Sequence, residues 1–250
     1  MSPTGPAPAL ARTGGPGPAA AEPARGPWLR LVTAESPDED DRALLDARER
    51  RRAAALRRPA DRALYIAVHA ELRRVLGGLL GTAPGAVELV RLACPGCGGP
   101  HGRPAVAGGG VHFSLAHGDG LALLGLAAAP IGVDVERVPA AQLVADASAA
   151  LHPAERAELA RLPEPARRAA FARCWTRKEA YLKATGEGLS GTALHDRRLG
   201  CGPRPEPVPG WTLTDVPVPG GWAAACVVRG SGAATPPHRW PAARSGSPVR

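Results

Sequence analysis

Lysine is almost missing from this 250-residue chain. Of 31 Lys and Arg, lysine supplies two, Lys178 and Lys183, and arginine carries every other permanent positive charge. Aromatic residues are scarce as well, at 4% of the chain, so a core here must be built mostly from Leu, Val and Ala. No stretch approaches about 18 uninterrupted apolar residues, and no transmembrane helix is expected. The opening "MSPTGPAPALARTGGPGPAA" lacks the apolar run of a secretory signal. Five cysteines, an odd number, give no disulfide framework and point to a reducing compartment, the cytoplasm.

What is present suffices for a packed protein. Hydrophobic residues make up 44% of the chain, enough for one large domain or two small ones. The net charge of +8 suggests nucleic acid until its distribution is read. Half of it falls on residues 227–250, as Arg229, Arg239, Arg244 and Arg250 without an acid. That leaves the middle with too little excess for a DNA-binding face.

Residues 1–27 hold seven Pro and five Gly and are expected to be disordered, as is the Pro- and Ser-rich end from 229 to 250. Between the tails, "DEDDRALLDARERRRAAALRR" (38–58) predicts a charged helix opened by acids. A second helix is predicted over 62–81, where Leu64, Val68, Leu72 and Leu76 recur on one face. Three strands follow, "VHFSLA" (111–116), "LALLGLAA" (121–128) and "IGVDVERV" (131–138), with turns at "HGDG" and "AP". Helices are predicted at 152–162 and 165–185, the latter closed by Gly186. "WTLTDVPV" and "WAAACVVR" around "PGG" read as a hairpin. Helices, sheet, helices, sheet gives an α+β fold in two halves.

"IGVDVE" carries chemistry. On a strand Ile131, Val133 and Val135 share one face, leaving Asp134 and Glu136 on the other, roughly 7 Å apart at ~3.3 Å per residue. Two such carboxylates either form a solvated edge or flank a hard cation, for which oxygen-only ligands suit Mg²⁺. "FARCWTRKEAYLKATGEGL" (171–189) holds both lysines and three aromatics, Phe171, Trp175 and Tyr181. On a helix Glu179 and Lys183 share a face. A surface ion pair would account for that spacing but not for the use of lysine. An ammonium binds phosphate as a compact point charge, where arginine presents a planar fork.

"IGVDVE", followed some forty residues later by "WTRKEAYLKATGEGL", resembles the paired motifs G-[VI]-D-[VI]-E and W-[ST]-x-K-E-[AS]-x-x-K-x-x-G. These belong to the 4′-phosphopantetheinyl transferases of the surfactin-synthetase-activating type, and the resemblance covers roughly residues 30–228. It implies two similar α/β subdomains, at 28–129 and 130–228, related by a pseudo-two-fold axis in one monomeric chain. It further implies coenzyme A as substrate and Mg²⁺ in the cleft between the halves. A serine of an apo-acyl or peptidyl carrier protein, typically acidic around that serine, would accept the 4′-phosphopantetheine. Asp134 and Glu136 would hold the metal, and Glu179 would either complete the metal site or, through it or a water, deprotonate the serine, the motif leaving the identity of the base open. Lys183 and Lys178 would meet the pyrophosphate.

The resemblance is looser upstream. "FSLAHG" resembles F-[SN]-[LI]-S-H-S and offers His117 to the 3′-phosphate, with Ala116 and Gly118 replacing serines. "HGRP" resembles G-[KR]-P, placing Arg103 near the nucleotide. Leu64 falls where an arginine often stands, leaving Arg52 and Arg62 as substitutes. "CPGCGGPH" brings Cys94, Cys97 and His101 close in sequence, the start of a zinc pattern without an adjacent fourth ligand; a Gly-rich turn with two ordinary cysteines is the favoured reading. Two rival functions remain: a metal-dependent nuclease, whose Glu-x-Lys would need a strand rather than a helix, and a non-catalytic basic binding protein.

Overall fold

The computed structural model describes residues 26–33, 37–188 and 193–230. The expected disorder of 1–27 and 229–250 lies almost wholly outside them.

The chain opens with strand β1 (Trp28–Thr33), followed by helices α1 (Glu39–Leu44), α2 (Ala47–Ala54) and α3 (Pro59–Leu80). The single helix expected over 38–58 is two. Asp46 stops it by starting a new one: its carboxylate accepts from Glu49 N at 2.8 Å while Glu49 accepts from Asp46 N at 2.9 Å, a reciprocal cap. Helix α3 ends on Gly81 at φ 64°, the left-handed turn that favours glycine. A short hairpin of β2 (Leu89–Arg91) and β3 (Pro104–Val106) precedes β4 (His112–Gly118) and β5 (Leu121–Ala127). The second half is β6 (Ile131–Arg137), α4 (Ala141–Ala147), α5 (Pro153–Ala160), α6 (Glu164–Thr185), α7 (Ala193–Asp196), β7 (Trp211–Asp215) and β8 (Trp222–Arg229). Arg229, assigned to the tail by composition, still belongs to β8 and donates its backbone N–H to Pro130 O.

The two halves repeat one topology. Each has a leading strand, a run of helices ending in a 22-residue helix (α3 or α6), and then an antiparallel hairpin. In each, the hairpin's last strand sits in the middle: the orders are β1-β5-β4 and β6-β8-β7. The fold is α+β, as expected.

Alternation along the strands explains how so few aromatics suffice. Leu124 and Leu126 of β5 face α3, packing with Leu72, Leu76, Trp28 and Phe113. Leu121 and Leu123, one step out of phase, face the other sheet and meet Ile131, Val133, Val135 and Cys226. On the far side, Ala225 and Val227 of β8 pack under Ala180, Tyr181 and Leu182 of α6. Four layers result: helix, sheet, sheet, helix. Because the sheets are covered on both faces, small aliphatic side chains make up most of the buried surface between them. Among the described residues, no helix is long and apolar enough to cross a membrane.

Candidate active site

The site begins with a glycine. A Cβ on Gly132 would lie 1.9 Å from Ala180 O and 2.4 Å from Ala184 N, so β6 and α6 meet backbone to backbone there. This close approach brings Asp134, two residues along the strand, against the last turns of α6. Asp134 is 2% exposed rather than on a solvated edge. Its Oδ1 accepts from Lys183 Nζ at 2.7 Å, while its Oδ2 is buried and has no hydrogen-bond partner. Glu179, one helical turn before Lys183, is also buried.

The carboxylates feel one another. Loss of hydration, and then the charge of Asp134, push Glu179 up to about 7. Glu136, farther out along β6 and in contact with solvent, is likewise pushed up to about 7, by desolvation first and by Asp134 second. Asp134 itself is raised by burial, with Lys183 opposing the shift. An anionic cluster of this kind is short of positive charge. The unpartnered Asp134 Oδ2 and the all-oxygen donor set fit a hard divalent cation. The three carboxylates do not bring their oxygens within 4.8 Å of one another; among the described residues, Cys94, Cys97 and His101 form the one three-ligand group that does so. The cation that Asp134 meets here is the ammonium of Lys183.

The first half contributes the other wall. Asp119 and Gly120 both have positive φ, 47° and 92°, and form the two-residue turn that joins β4 to β5. Gly118, where the family often has serine, leaves room: a Cβ there would stand 4.0 Å from Glu136 Oε2. His117 next to it is exposed. Desolvation lowers its pKa, followed by the positive charges of Lys183 and Arg52. His117 is thus within electrostatic reach of Lys183 and of Arg52. Arg103 donates from Nη1 to Ala184 O at 2.9 Å, tying the segment before β3 to the end of α6.

Two expected ligands lie elsewhere. Lys178 is 2% exposed and faces away from the carboxylates. Its Nζ is 2.8 Å from Glu155 Oε2 and also donates to the carbonyls of Leu194 and Arg197. With these oxygens around it, the ammonium has no donor left for a pyrophosphate: in W-T-R-K-E it serves the fold. Its neighbour Arg177 does the same, gripping Asp215 with two bonds of 2.8 and 2.6 Å. Arg62 turns its guanidinium onto Leu56 O. Leu64 packs inward with Val68 and Ala122, so a cation at that position would point into the core.

The sequence reading missed an aromatic support behind His117. Tyr65 stacks on His69 with centroids 3.8 Å apart and meets His117 edge-on at 6.1 Å. The i,i+4 spacing of Tyr65 and His69 on α3 was the available signal.

Residues 130–215 match the family model described as the 4′-phosphopantetheinyl transferase superfamily. The chain is 33% identical over 214 residues to the 4′-phosphopantetheinyl transferase HetI of Nostoc sp., covering 82% of this chain and 86% of that protein. It is 31% identical over 154 residues, 60% of each protein, to a Synechocystis sp. protein named "Putative 4′-phosphopantetheinyl transferase slr0495".

Proposed function

This chain belongs to the 4′-phosphopantetheinyl transferase superfamily, and from that premise we propose how its own residues perform the transfer. The reaction moves 4′-phosphopantetheine from coenzyme A to a serine of an apo-carrier protein. The serine oxygen forms a bond to the phosphorus that bears the pantetheine arm, the bond from that phosphorus to the bridging oxygen breaks, and adenosine 3′,5′-bisphosphate leaves.

The observation that carries the assignment is the contact of Lys183 with Asp134 across the seam between α6 and β6, with Glu179 within reach of both charges. Asp134, Glu136 and Glu179 would hold Mg²⁺, which supplies charge neutralisation on the pyrophosphate as the bridging bond breaks. Lys183 is the compact cation beside the breaking bond. Glu179 either completes that metal site or, through it or a water, takes the serine proton; without the metal, burial and the charge of Asp134 raise it to about 7. His117, with Arg52 and the Arg103 tether, forms the nucleotide wall. Exposed Arg48, Arg50, Arg51 and Arg52 on α2 suit a carrier with an acidic face and would steer its approach.

We take the two halves as 28–129 and 130–228, in keeping with the repeated strand order, and the chain as a monomer of the surfactin-synthetase-activating type, since both walls of the cleft come from one chain. Free cysteines among the described residues accord with a cytoplasmic enzyme. The placement of Glu179 and Lys183 on α6 counts against the strand-borne Glu-x-Lys of a nuclease.

The test is incubation with coenzyme A, Mg²⁺ and an apo-carrier protein. The carrier should gain the mass of one phosphopantetheine, and Asp134→Ala and Glu179→Ala should each abolish the gain while the fold survives. Near-full activity of either variant at saturating Mg²⁺ removes that residue from the mechanism.

A further inference from the structure

The segment "CPGCGGPH" has a geometry that its sequence alone does not settle. It forms the tip of the β2–β3 hairpin, whose stem is extended by Leu92 N to Arg103 O at 3.1 Å and Gly102 N to Leu92 O at 2.9 Å. At the tip, Gly98 N donates to Cys94 O and Cys94 N donates to Gly99 O, both at 2.8 Å. Gly98 takes φ 74°, a turn suited to glycine. The loop is wound around its own first cysteine.

The winding gathers three donors. One ligand atom each from Cys94, Cys97 and His101 lies within 4.8 Å of the other two, and Cys97 Sγ is 2.9 Å from His101 Nε2. Both cysteines are free thiols. Gly99 is part of the cradle: a Cβ there would come within 3.0 Å of His101 Cδ2 and 3.4 Å of Cys97 Sγ. Any larger residue would press between the donors.

We propose that Cys94, Cys97 and His101 bind a zinc ion, with solvent in the fourth position. Zinc takes thiolate sulfur at about 2.3 Å and imidazole nitrogen at about 2.0–2.1 Å, so tetrahedral ligand atoms stand about 3.5–3.8 Å apart. Reaching that spacing requires Cys97 and His101 to separate by less than about 1 Å, an easy adjustment for two exposed side chains. Binding displaces the two thiol protons, and no electrons move. Two thiolates and an imidazole select a softer ion than the oxygen donors of the carboxylate cluster do. The zinc therefore would not compete for that site. Its place in the fold gives it a structural consequence. The same loop leads into Arg103, which bonds Ala184 O, and Pro95 Cδ lies 3.8 Å from the Cβ position of Gly186, the C-cap of α6. A metal-pinned tip fixes the hairpin against the end of the helix that carries Glu179 and Lys183.

The test is metal analysis of the full chain, purified with reductant and without chelator, together with replacement of the bound ion by Co²⁺. The expected result is one zinc per chain and the visible absorption of tetrahedral cobalt bound by thiolate. Cys97→Ser and His101→Ala should each lose both signals, whereas Cys226→Ala, altered at a buried cysteine of β8, should keep them. Three results would overturn the proposal: no zinc with all thiols free, a disulfide joining Cys94 to Cys97, or zinc retained in both the Cys97 and His101 variants. Because the readout is metal content, it stands or falls separately from the transfer activity.

Discussion

Lys183 Nζ donates to Asp134 Oδ1 at 2.7 Å across the seam between α6 and β6, and the other oxygen of the same buried carboxylate receives nothing. One side chain is thus divided between two cations, an ammonium already in place and a site open on the other side. The flush contact at Gly132 sets the spacing. It also bears on why lysine persists in an arginine-rich chain: an ammonium occupies one oxygen of Asp134 and leaves the other open, whereas a guanidinium fork would engage both.

Replacing Lys183 tests this directly. Lys183→Gln removes a charge-assisted hydrogen bond of about 1.5–3 kcal/mol, and the transfer rate should fall roughly 10- to 100-fold. Lys183→Arg keeps the charge yet should not restore the rate, because the planar fork cannot reproduce the point contact. Steady-state kcat and KM for coenzyme A measure both. Full activity in the arginine variant would show that any cation serves.

Gly132→Ala should damage the protein more than any other one-carbon change. The added carbon would overlap the carbonyl of Ala180 at 1.9 Å, and the obstacle is helix backbone rather than a side-chain tip. Overpacking of this kind costs about 1–3 kcal/mol, and prising α6 from β6 also separates Lys183 from Asp134. Gly78→Ala is the control: it is exposed on α3 with nothing within 4 Å, and should stabilise by about 0.5–1 kcal/mol. Thermal denaturation of the two variants should move in opposite directions.

The centre of this site was legible because strand and helix periodicity are local. The alternation in "IGVDVE" and the i,i+4 pair Glu179–Lys183 needed no tertiary information. What sequence could not decide was which way a side chain turns once packed. Lys178 and Lys183 look alike on the helix, but Lys178 points to α5, where Glu155 waits at 2.8 Å. That pairing spans 23 residues and leaves no periodic signal. The β1 strand was missed for a related reason. "WLRLVT" is short, and only its pairing with β5, in register from Trp28↔Leu126 to Thr33↔Leu121 and so with residues 88 to 98 positions later, makes it a strand.

Lys178→Met should therefore behave as a stability mutant. It leaves Glu155 buried without its cation, a loss of about 3–5 kcal/mol when one partner of a buried pair is removed. Glu155 would keep only its backbone donors, among them Leu199 N at 2.7 Å and Gly200 N at 3.0 Å. The midpoint of unfolding should drop sharply, while the folded fraction keeps a wild-type KM for coenzyme A. A rise in KM with unchanged stability would return Lys178 to the pyrophosphate.

The two raised carboxylates make stability depend on pH in a sign that can be worked out. Glu136 and Glu179 titrate near 7 in the folded protein, against about 4.5 ordinarily. Between those values the folded chain holds more protons than the unfolded one, so this contribution to stability is complete at low pH and is lost as pH rises through about 7. A divalent cation binds the deprotonated carboxylates and reverses the loss, releasing protons as it does so. With chelator, the part of the melting temperature set by these groups should fall from about pH 6 to about pH 8; with Mg²⁺, the stabilisation should be small at the lower pH and larger at the higher. Glu179→Gln removes one of the titrating groups and should flatten both dependences. Scanning calorimetry at the two pH values, with and without Mg²⁺, decides it: equal stabilisation by Mg²⁺ at both would mean the ion binds somewhere other than these carboxylates.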